Sequence, residues 1–369
     1  MSLEHLIIKP ANEAQIEEAT QRDAVYWAGR FGMSVEDYIK VDELFLHGSF
    51  ARDGRLKVWV LVPEEDPETV NFYASCETLT REVLTLQPGQ TYPSTSHGHG
   101  ITSVLVPSEH RGKGYANRLM SLMHFALAPH RYTNSLKVPT TIENPSTVSV
   151  LYSIVGDYYA RCAPMANQSG WTIQQSFATT WSLASIQTPP TSPLPVELLS
   201  EPEVAMILNS DESNVADDLL KLQRQDPTKT YFAFVPAAPL NDYSVIIGKL
   251  AIEGRGLTNV SWGARVLGTN DFMTWVFYGV ENIKLIVTRL RATTDSFPAL
   301  LGAAFQIAKV VKCETMETWN IPDDIKTVAQ ESGGETSERM DDLAAFKWYG
   351  QEPDSKADNA DIFWALEER

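Results

Sequence analysis

The sequence predicts an α/β (α+β) fold in two domains, and three observations lead to this prediction. Segments rich in β-branched and aromatic residues, which favour strands, alternate with segments whose apolar residues recur every three or four positions, as in helices. A chain of 369 residues is long enough for two domains of ordinary size. The stretch QTPPTSPLPVE (187–197) contains four prolines and cannot continue a helix or a central strand. We therefore predict a first domain at 1–187 and a second at 188–369.

The first domain is predicted to begin with a strand and two helices. LIIKP (6–10) is a short strand, Asn12 can cap a helix over 13–30, and a second helix covers 34–46. Three strands rich in β-branched and aromatic residues follow, at LKVWVLVPE (56–64), FYASCETLTREVL (72–84) and ITSVLVP (101–107).

A helix comes after the third of these strands, because apolar residues recur along one face from Ala116 to Leu127, and Pro129 ends it. The remaining predicted elements of the first domain are a strand at 147–153, a short helix at 155–161 and a closing strand at 171–183.

The second domain shows a strand, strand, helix, strand order. The strands are FMTWVFYGV (272–280), IKLIVTRLRA (283–292) and ETMETWNI (314–321), and the helix is 297–312, capped by Asp295 or Ser296. From 352 onward the chain is predicted to be a loosely held acidic tail, in which Phe363 and Trp364 can dock back onto the protein.

Composition narrows the class of protein. The chain has 30 Lys and Arg against 47 Asp and Glu, a net charge of −17, which disfavours a nucleic-acid surface and mildly favours a cationic substrate. It has no apolar run near the ~20 residues of a membrane helix, so we expect no membrane partner and a cytoplasmic location. Three widely spaced cysteines support neither a disulfide framework nor a zinc site.

A glycine loop between the strand at 101–107 and the next helix is predicted to bind an anion. Gly112 and Gly114 carry no Cβ that would keep a phosphate from the backbone amides, and the positive end of the helix lies behind them. Arg111 can add charge-assisted hydrogen bonds. The loop fits neither a P-loop nor the dinucleotide fingerprint, which requires a third glycine where Asn117 stands. The alternative is a strand-to-helix turn with exposed basic residues.

The segment VLVPSEHRGKGYANRLM (104–120) resembles the acetyl-coenzyme A signature of the GNAT superfamily of N-acetyltransferases. The order of the predicted elements agrees with that fold over residues 5–183. SCETLTRE (75–82), SVLYSIVGDYYA (149–160) and the Gly170-Trp171 pair are similar to fungal acetyltransferases of the lysine N6-acetyltransferase type. The resemblance implies a GNAT fold with a splayed mixed central sheet, and acetyl-coenzyme A (acetyl-CoA) as the cofactor.

The resemblance also implies site residues. The pantetheine arm is expected along the strand that contains Val104, Leu105 and Val106, and the pyrophosphate is expected on the loop residues Arg111, Gly112, Lys113, Gly114, Tyr115 and Ala116. The thioester then points into the gap between that strand and 147–153. Tyr159 matches the family's proton donor to the departing thiolate, with Tyr158 beside it. Residues 162–169 are an insertion relative to the family pattern.

The acceptor amine requires a base, because an amine with a pKa of ~10.4 is almost wholly protonated at neutral pH. Glu77, on a strand expected to flank the cleft, is the favoured candidate. His97, His99 and Glu143 are further candidates near the acceptor. The HGH pattern at 97–99 lacks further ligands, so no metal site is predicted.

The second domain has no glycine-phosphate loop and is predicted to be a degenerate, GNAT-like repeat. It either walls off the acceptor site or forms a homodimer surface. The predicted function is acetyl-CoA-dependent N-acetyl transfer to a small-molecule amine, with the ε-amine of free lysine favoured. A polyamine, a xenobiotic amine and a protein lysine are alternative acceptors, and a non-catalytic coenzyme A (CoA)-binding module is an alternative of another class.

Overall fold

The computed structural model describes residues 3–132, 137–186, 190, 192–237, 242–279, 282–351, 353 and 356–358. Within these ranges, no helix combines the length and the hydropathy needed to cross a membrane. Phe363 and Trp364, predicted to dock back, lie outside the described residues.

The first half of the chain begins with a strand and two helices, as predicted. Asn12 caps the first helix in a capping box, with the Gln15 N–H donating to Asn12 Oδ1 at 2.8 Å. The elements are β1 (Leu6–Pro10), α1 (Glu13–Trp27), α2 (Val35–Leu46), β2 (Leu56–Pro63), β3 (Ala74–Leu86), β4 (Ser94–Leu105), α3 (Tyr115–Leu127), β5 (Ser146–Ser153), β6 (Thr172–Ile173) and β7 (Phe177–Ser182).

The second half contains elements between 196 and 271 that the sequence did not reveal. Its elements are β8 (Val196–Leu199), α4 (Glu201–Gln225), β9 (Thr230–Phe234), α5 (Asp242–Glu253), β10 (Gly263–Val266), β11 (Phe272–Tyr278), β12 (Lys284–Arg291), α6 (Phe297–Val311), β13 (Thr315–Trp319), α7 (Asp323–Glu331), β14 (Glu335–Glu338), β15 (Leu343–Trp348) and β16 (Ala357–Asp358). Ser296 is the N-cap residue of α6, without a side-chain capping bond.

The first sheet has the strand order β1-β2-β3-β4-β5-β15-β6, with β9 added on β3 and β16 on β9. The pairing of β4 with β5 is parallel and ends at Gly100 and Val150. Beyond this pair the two strands separate. This is the splayed, mixed sheet that the resemblance implied.

The second sheet repeats part of this plan, in the order β14-β7-β13-β12-β11-β10-β8. Its β12 and β13 are parallel and are connected by α6, as β4 and β5 are connected by α3. The loop before α6 reads ATTDS (292–296) and contains no glycine. The second unit therefore has the strand-helix-strand pattern without the anion-binding loop.

The two sheets exchange strands along the chain. The predicted closing strand at 171–183 is two strands: β6 lies in the first sheet and β7 in the second. Conversely β15, from the second half, pairs with β5 and β6 of the first sheet. The single strand was the wrong interpretation because the chain passes between sheets at 174–176. The domain boundary at 187/188 stays a prediction. Each sheet contains strands from both sides of this boundary.

Candidate active site

The glycine loop leads from β4 into the first turn of α3. Gly112 and Gly114 have φ of 74° and 88°, in the left-handed region that favours glycine. A Cβ added to Gly112 would meet no heavy atom within 4 Å, so the loop is open on that side. Gly114 is the N-cap of α3, and the amides of the first turn have the orientation that favours an anion.

The basic residues of the loop are held by backbone carbonyls. Arg111 donates from Nε to the Val106 oxygen at 3.1 Å, and its guanidinium lies 5.0 Å from the centre of the Tyr26 ring. Lys113 donates from Nζ to the Glu109 oxygen at 2.8 Å. Arg111 is thereby fixed at the end of β4, where a charged phosphate group can reach it.

Tyr115 and Ala116 begin α3 and differ in surroundings. Tyr115 stacks on Tyr73, with ring centres 4.6 Å apart, and His110 contacts both rings edge-on. Ala116 lines the cavity described next. Stacking therefore holds the start of α3 against Tyr73, the residue before β3, while Ala116 faces the cavity.

A cavity of about 1090 Å³ fills the gap between the separated ends of β4 and β5. Residues 101–106 form one wall, and β5 with the residues after it forms the opposite one. A bulge in β4 shifts its register against β3 between Thr102 and Leu105, and Ser103 has a φ of 52°. Val104, Leu105 and Val106 thus present backbone to the cavity where β5 no longer pairs with them.

Tyr158 and Tyr159 both line this cavity, on a 3-10 helix, Gly156–Arg161, that we call the tyrosine segment. Their rings are edge-on, 5.5 Å apart. Burial raises the pKa of Tyr159 above its ordinary value, so its hydroxyl stays protonated at neutral pH. Burial also raises the pKa of Tyr158, although the backbone N–H of Asn117 opposes this by hydrogen bonding to the phenol oxygen.

Glu77 lies behind the bulge, partly buried on β3. Ser103, which lines the cavity, donates from Oγ to Glu77 Oε2 at 3.3 Å. The neighbouring Asp23 of α1 is fully enclosed, and burial together with the charges of Glu77 and Asp42 raises its pKa well above its ordinary value. Glu77 therefore reaches the cavity rim through Ser103, with the buried Asp23 carboxyl close by.

Comparison with known proteins identifies the family. A family model described as the LYC1 GNAT-like C-terminal domain matches residues 180–369, which is more than half of the chain. The chain belongs to the LYC1-like GNAT family. A curated "Lysine acetyltransferase" from Yarrowia lipolytica is 32% identical over 135 residues, and the match covers 35% of this chain. The chain spans only 33% of that relative's length.

Solved structures agree on the fold. A probable N-acyltransferase from Enterococcus faecalis matches with a TM-score of 0.56 at 13% identity, covering 93% of this chain and 72% of that one. A GCN5-related N-acetyltransferase from Anabaena variabilis gives 0.52 at 14% identity, covering 94% and 73%. At such identities the likeness concerns the fold, which confirms the predicted GNAT architecture across both halves.

The structure places three of the predicted acceptor residues away from the cavity of this LYC1-like protein. His99 is fully buried, with its ring nitrogens 2.9 Å from Thr80 Oγ1 and 3.1 Å from Ser146 Oγ, and burial lowers its pKa to about 3. His97 precedes it on β4, before the strands separate. Glu143 is exposed before the start of β5, at the opposite end of that strand from the cavity.

Several cavity residues of this LYC1-like chain were missed from the sequence. Tyr26 and Trp27 line the cavity from α1. From the second half, the lining includes Tyr278, Asn282, Asp341 and Asp342. No spacing pattern marks these residues, because each arrives through long-range packing. They show that the second half forms part of the cavity wall.

Proposed function

We propose that this protein is an acetyl-CoA-dependent N-acetyltransferase that acts on a small-molecule amine, with the ε-amine of free lysine as the favoured acceptor. The observation that carries the proposal is the cavity between the separated ends of β4 and β5, which has the open glycine loop at one side and two tyrosines in its wall. Family membership and the shared fold support the same activity.

The residues present fit acetyl-CoA. Gly112 leaves open space where a Cβ would stand, and the first-turn amides of α3 suit the pyrophosphate. The backbone of Val104 and Leu105, which β5 does not pair, suits the amide groups of the pantetheine arm, with Val106 next to them, and Arg111 suits a phosphate. Once bound, the cofactor supplies an acetyl thioester at the splayed end of the sheet.

Tyr159 would hold the proton that the leaving sulfur atom needs. Its raised pKa keeps the hydroxyl protonated, and a phenol near a developing thiolate can donate a hydrogen bond and transfer the proton. Glu77 would accept the proton of the incoming ammonium, directly or through Ser103.

The acceptor side of the cavity has acidic character. Asp341 and Asp342 lie in its lining, and neither forms an ion pair within the described part of the chain. They provide a site for a second positive charge on the acceptor, such as the α-ammonium of lysine, and the net charge of −17 attracts cations. The name of the Yarrowia lipolytica relative, "Lysine acetyltransferase", supports lysine as the acceptor.

A panel of amines tests the proposal, with release of free thiol from acetyl-CoA as the readout. The panel contains free lysine, Nα-acetyl-lysine, spermidine, an aromatic xenobiotic amine and a lysine-containing peptide. We expect free lysine to give the highest kcat/KM and Tyr159→Phe to abolish most of it. Preference for the peptide would indicate a protein lysine as the acceptor, and preference for spermidine would indicate a polyamine. Absence of thiol release with every amine, in a protein that binds CoA, would favour the non-catalytic binding module.

A further inference from the structure

The tyrosine segment is tied to the helix that begins at the glycine loop. Two side chains of α3, Asn117 and His124, are separated by seven residues and so lie on one face of the helix, two turns apart. Both hydrogen bond to backbone carbonyls that lie two and three residues after Tyr159.

Asn117 makes the contact nearest to the phosphate site. Its Nδ2 donates to the Arg161 oxygen at 3.1 Å and lies 3.6 Å from Cys162 Sγ. The first turn of α3 therefore contacts the end of the tyrosine segment through this side chain.

His124 fixes the following residue and is itself fixed by a buried network. Its Nε2 lies 2.8 Å from the Cys162 carbonyl oxygen, which can only accept, so Nε2 carries the proton. Its Nδ1 then accepts from the Tyr349 hydroxyl at 2.9 Å. Tyr349 in turn bonds Ser149 at 3.0 Å. The network thus holds His124 by both ring nitrogens, whereas the Asn117 side chain contacts only Arg161 and Cys162.

We propose that Asn117 is a positioning residue: by holding the Arg161 carbonyl, it fixes the Tyr159 hydroxyl relative to the helix that carries the phosphate site. This inference rests on the proposed function. The Asn117 side chain bonds the backbone beyond the tyrosine and acts on the reaction through Tyr159. Loss of its donor removes a bond from the end of a short 3-10 helix of two turns. A displacement of about 1 Å in a reacting group can cost roughly 100-fold in rate.

Two variants and one control test the inference. Asn117→Ala removes the side chain, and Asn117→Asp keeps its volume but loses the donor. Ser121→Ala, one turn further along α3, is the control. We expect both Asn117 variants to lower kcat by roughly 10- to 100-fold, with little change in CoA affinity. In a Tyr159→Phe background, Asn117→Ala should cost little more, because its effect passes through the missing hydroxyl.

A second readout does not depend on turnover. In protein labelled with ¹³Cζ-tyrosine, the Tyr159 signal is assigned by its absence from Tyr159→Phe. We expect it to shift in both Asn117 variants and not in Ser121→Ala. An unmoved Tyr159 signal in both variants, or a fall in CoA affinity as large as the fall in kcat, overturns the inference. If the wild type acetylates no amine, the proposed function fails, while the signal and the CoA titration still decide the role of Asn117.

Discussion

Among single residues, Tyr159 has the most direct role in the proposed reaction. Tyr159 lies in the cavity wall, and burial keeps its hydroxyl protonated at the pH where the proposed reaction would run. Tyr158 lines the same cavity, with its ring edge-on to that of Tyr159. The two neighbours can therefore be compared directly.

Tyr159→Phe should lower kcat by roughly 10²- to 10⁴-fold, because a positioned acid of this kind contributes that much. CoA affinity should change little, since only a hydroxyl is removed. Steady-state kinetics with acetyl-CoA and the best amine measures kcat, and calorimetric titration measures the CoA affinity. Tyr158→Phe is the matched control and should slow the reaction much less. Equal activity of Tyr159→Phe and the wild type would remove Tyr159 from the mechanism.

Gly170→Ala should displace the tyrosine segment. A Cβ at this position would lie 2.1 Å from the backbone carbonyl oxygen of Tyr159 and 2.7 Å from that of Cys162. Both distances are too short for the backbone to remain in place. We expect a loss of about 1–3 kcal/mol in the free energy of unfolding and a fall in kcat. Gly29→Ala, where a Cβ meets nothing within 4 Å, is the stability control. Equal losses in urea unfolding of the two variants would contradict this packing argument.

At the scale of elements, two buried histidines connect the strands and helix of the site to the core. His99 joins β3, β4 and β5, and His124 joins α3 to the tyrosine segment. Burial lowers the pKa of each to about 3, so both are neutral in the native protein. In the unfolded chain each has an ordinary pKa of ~6.5.

Stability should therefore fall as the pH is lowered below 6.5. Between pH 6.5 and about 3 the unfolded chain binds a proton on His124 that the native protein does not, a slope of about 1.4 kcal/mol per pH unit. The raised pKa of Asp23 has the opposite effect on stability, because the native protein holds that proton to a higher pH than the unfolded chain does. The test is thus the difference between the wild type and His124→Asn in urea unfolding at pH 7, 6 and 5. Parallel curves for the two proteins would mean that His124 is charged in the fold.

Local signals predicted the elements well where neighbouring residues determine them. The Asn12 cap, the periodicity of α3 and the glycine loop all depend on contacts within a few residues. The extension of β4 over 94–100 was missed because SHGHG resembles a turn, while its pairing is set by β3 and β5. His97, His99 and Glu143 were grouped with the acceptor site by sequence proximity, which does not indicate the end of the strand that faces the cavity.

At the scale of the whole molecule, the second half completes the cavity of the first. Tyr278 and Asn282 come from the start and end of the connection between β11 and β12, and two aspartates come from the turn before β15. Because β15 pairs with β5, this turn is held next to the splayed strands. The residues of this wall come together only through tertiary packing. The sequence therefore offered such a wall as one of two roles for the second half but did not indicate its residues.

Asp341→Asn combined with Asp342→Asn should raise KM for the cationic acceptor by roughly 2- to 30-fold, because each exposed ion pair contributes about 0.2–1 kcal/mol. KM for acetyl-CoA should not change. The wild-type KM for the amine should rise with salt, and the double variant should lose most of this dependence. Glu335→Gln combined with Glu338→Gln, both on β14, is the charge-matched control. An unchanged KM for the amine would exclude these aspartates from acceptor binding.

Each chain should bind one CoA, on the glycine loop at the start of α3. Calorimetric titration of CoA into wild type and Gly112→Asp tests it most directly, with Gly268→Asp as the control, since that glycine also has a positive φ and an open Cβ position. We expect a stoichiometry near one for the wild type and Gly268→Asp, and severe loss of affinity for folded Gly112→Asp. Unchanged affinity in Gly112→Asp would mean that CoA binds elsewhere, and a stoichiometry near two would mean that the second half also binds it.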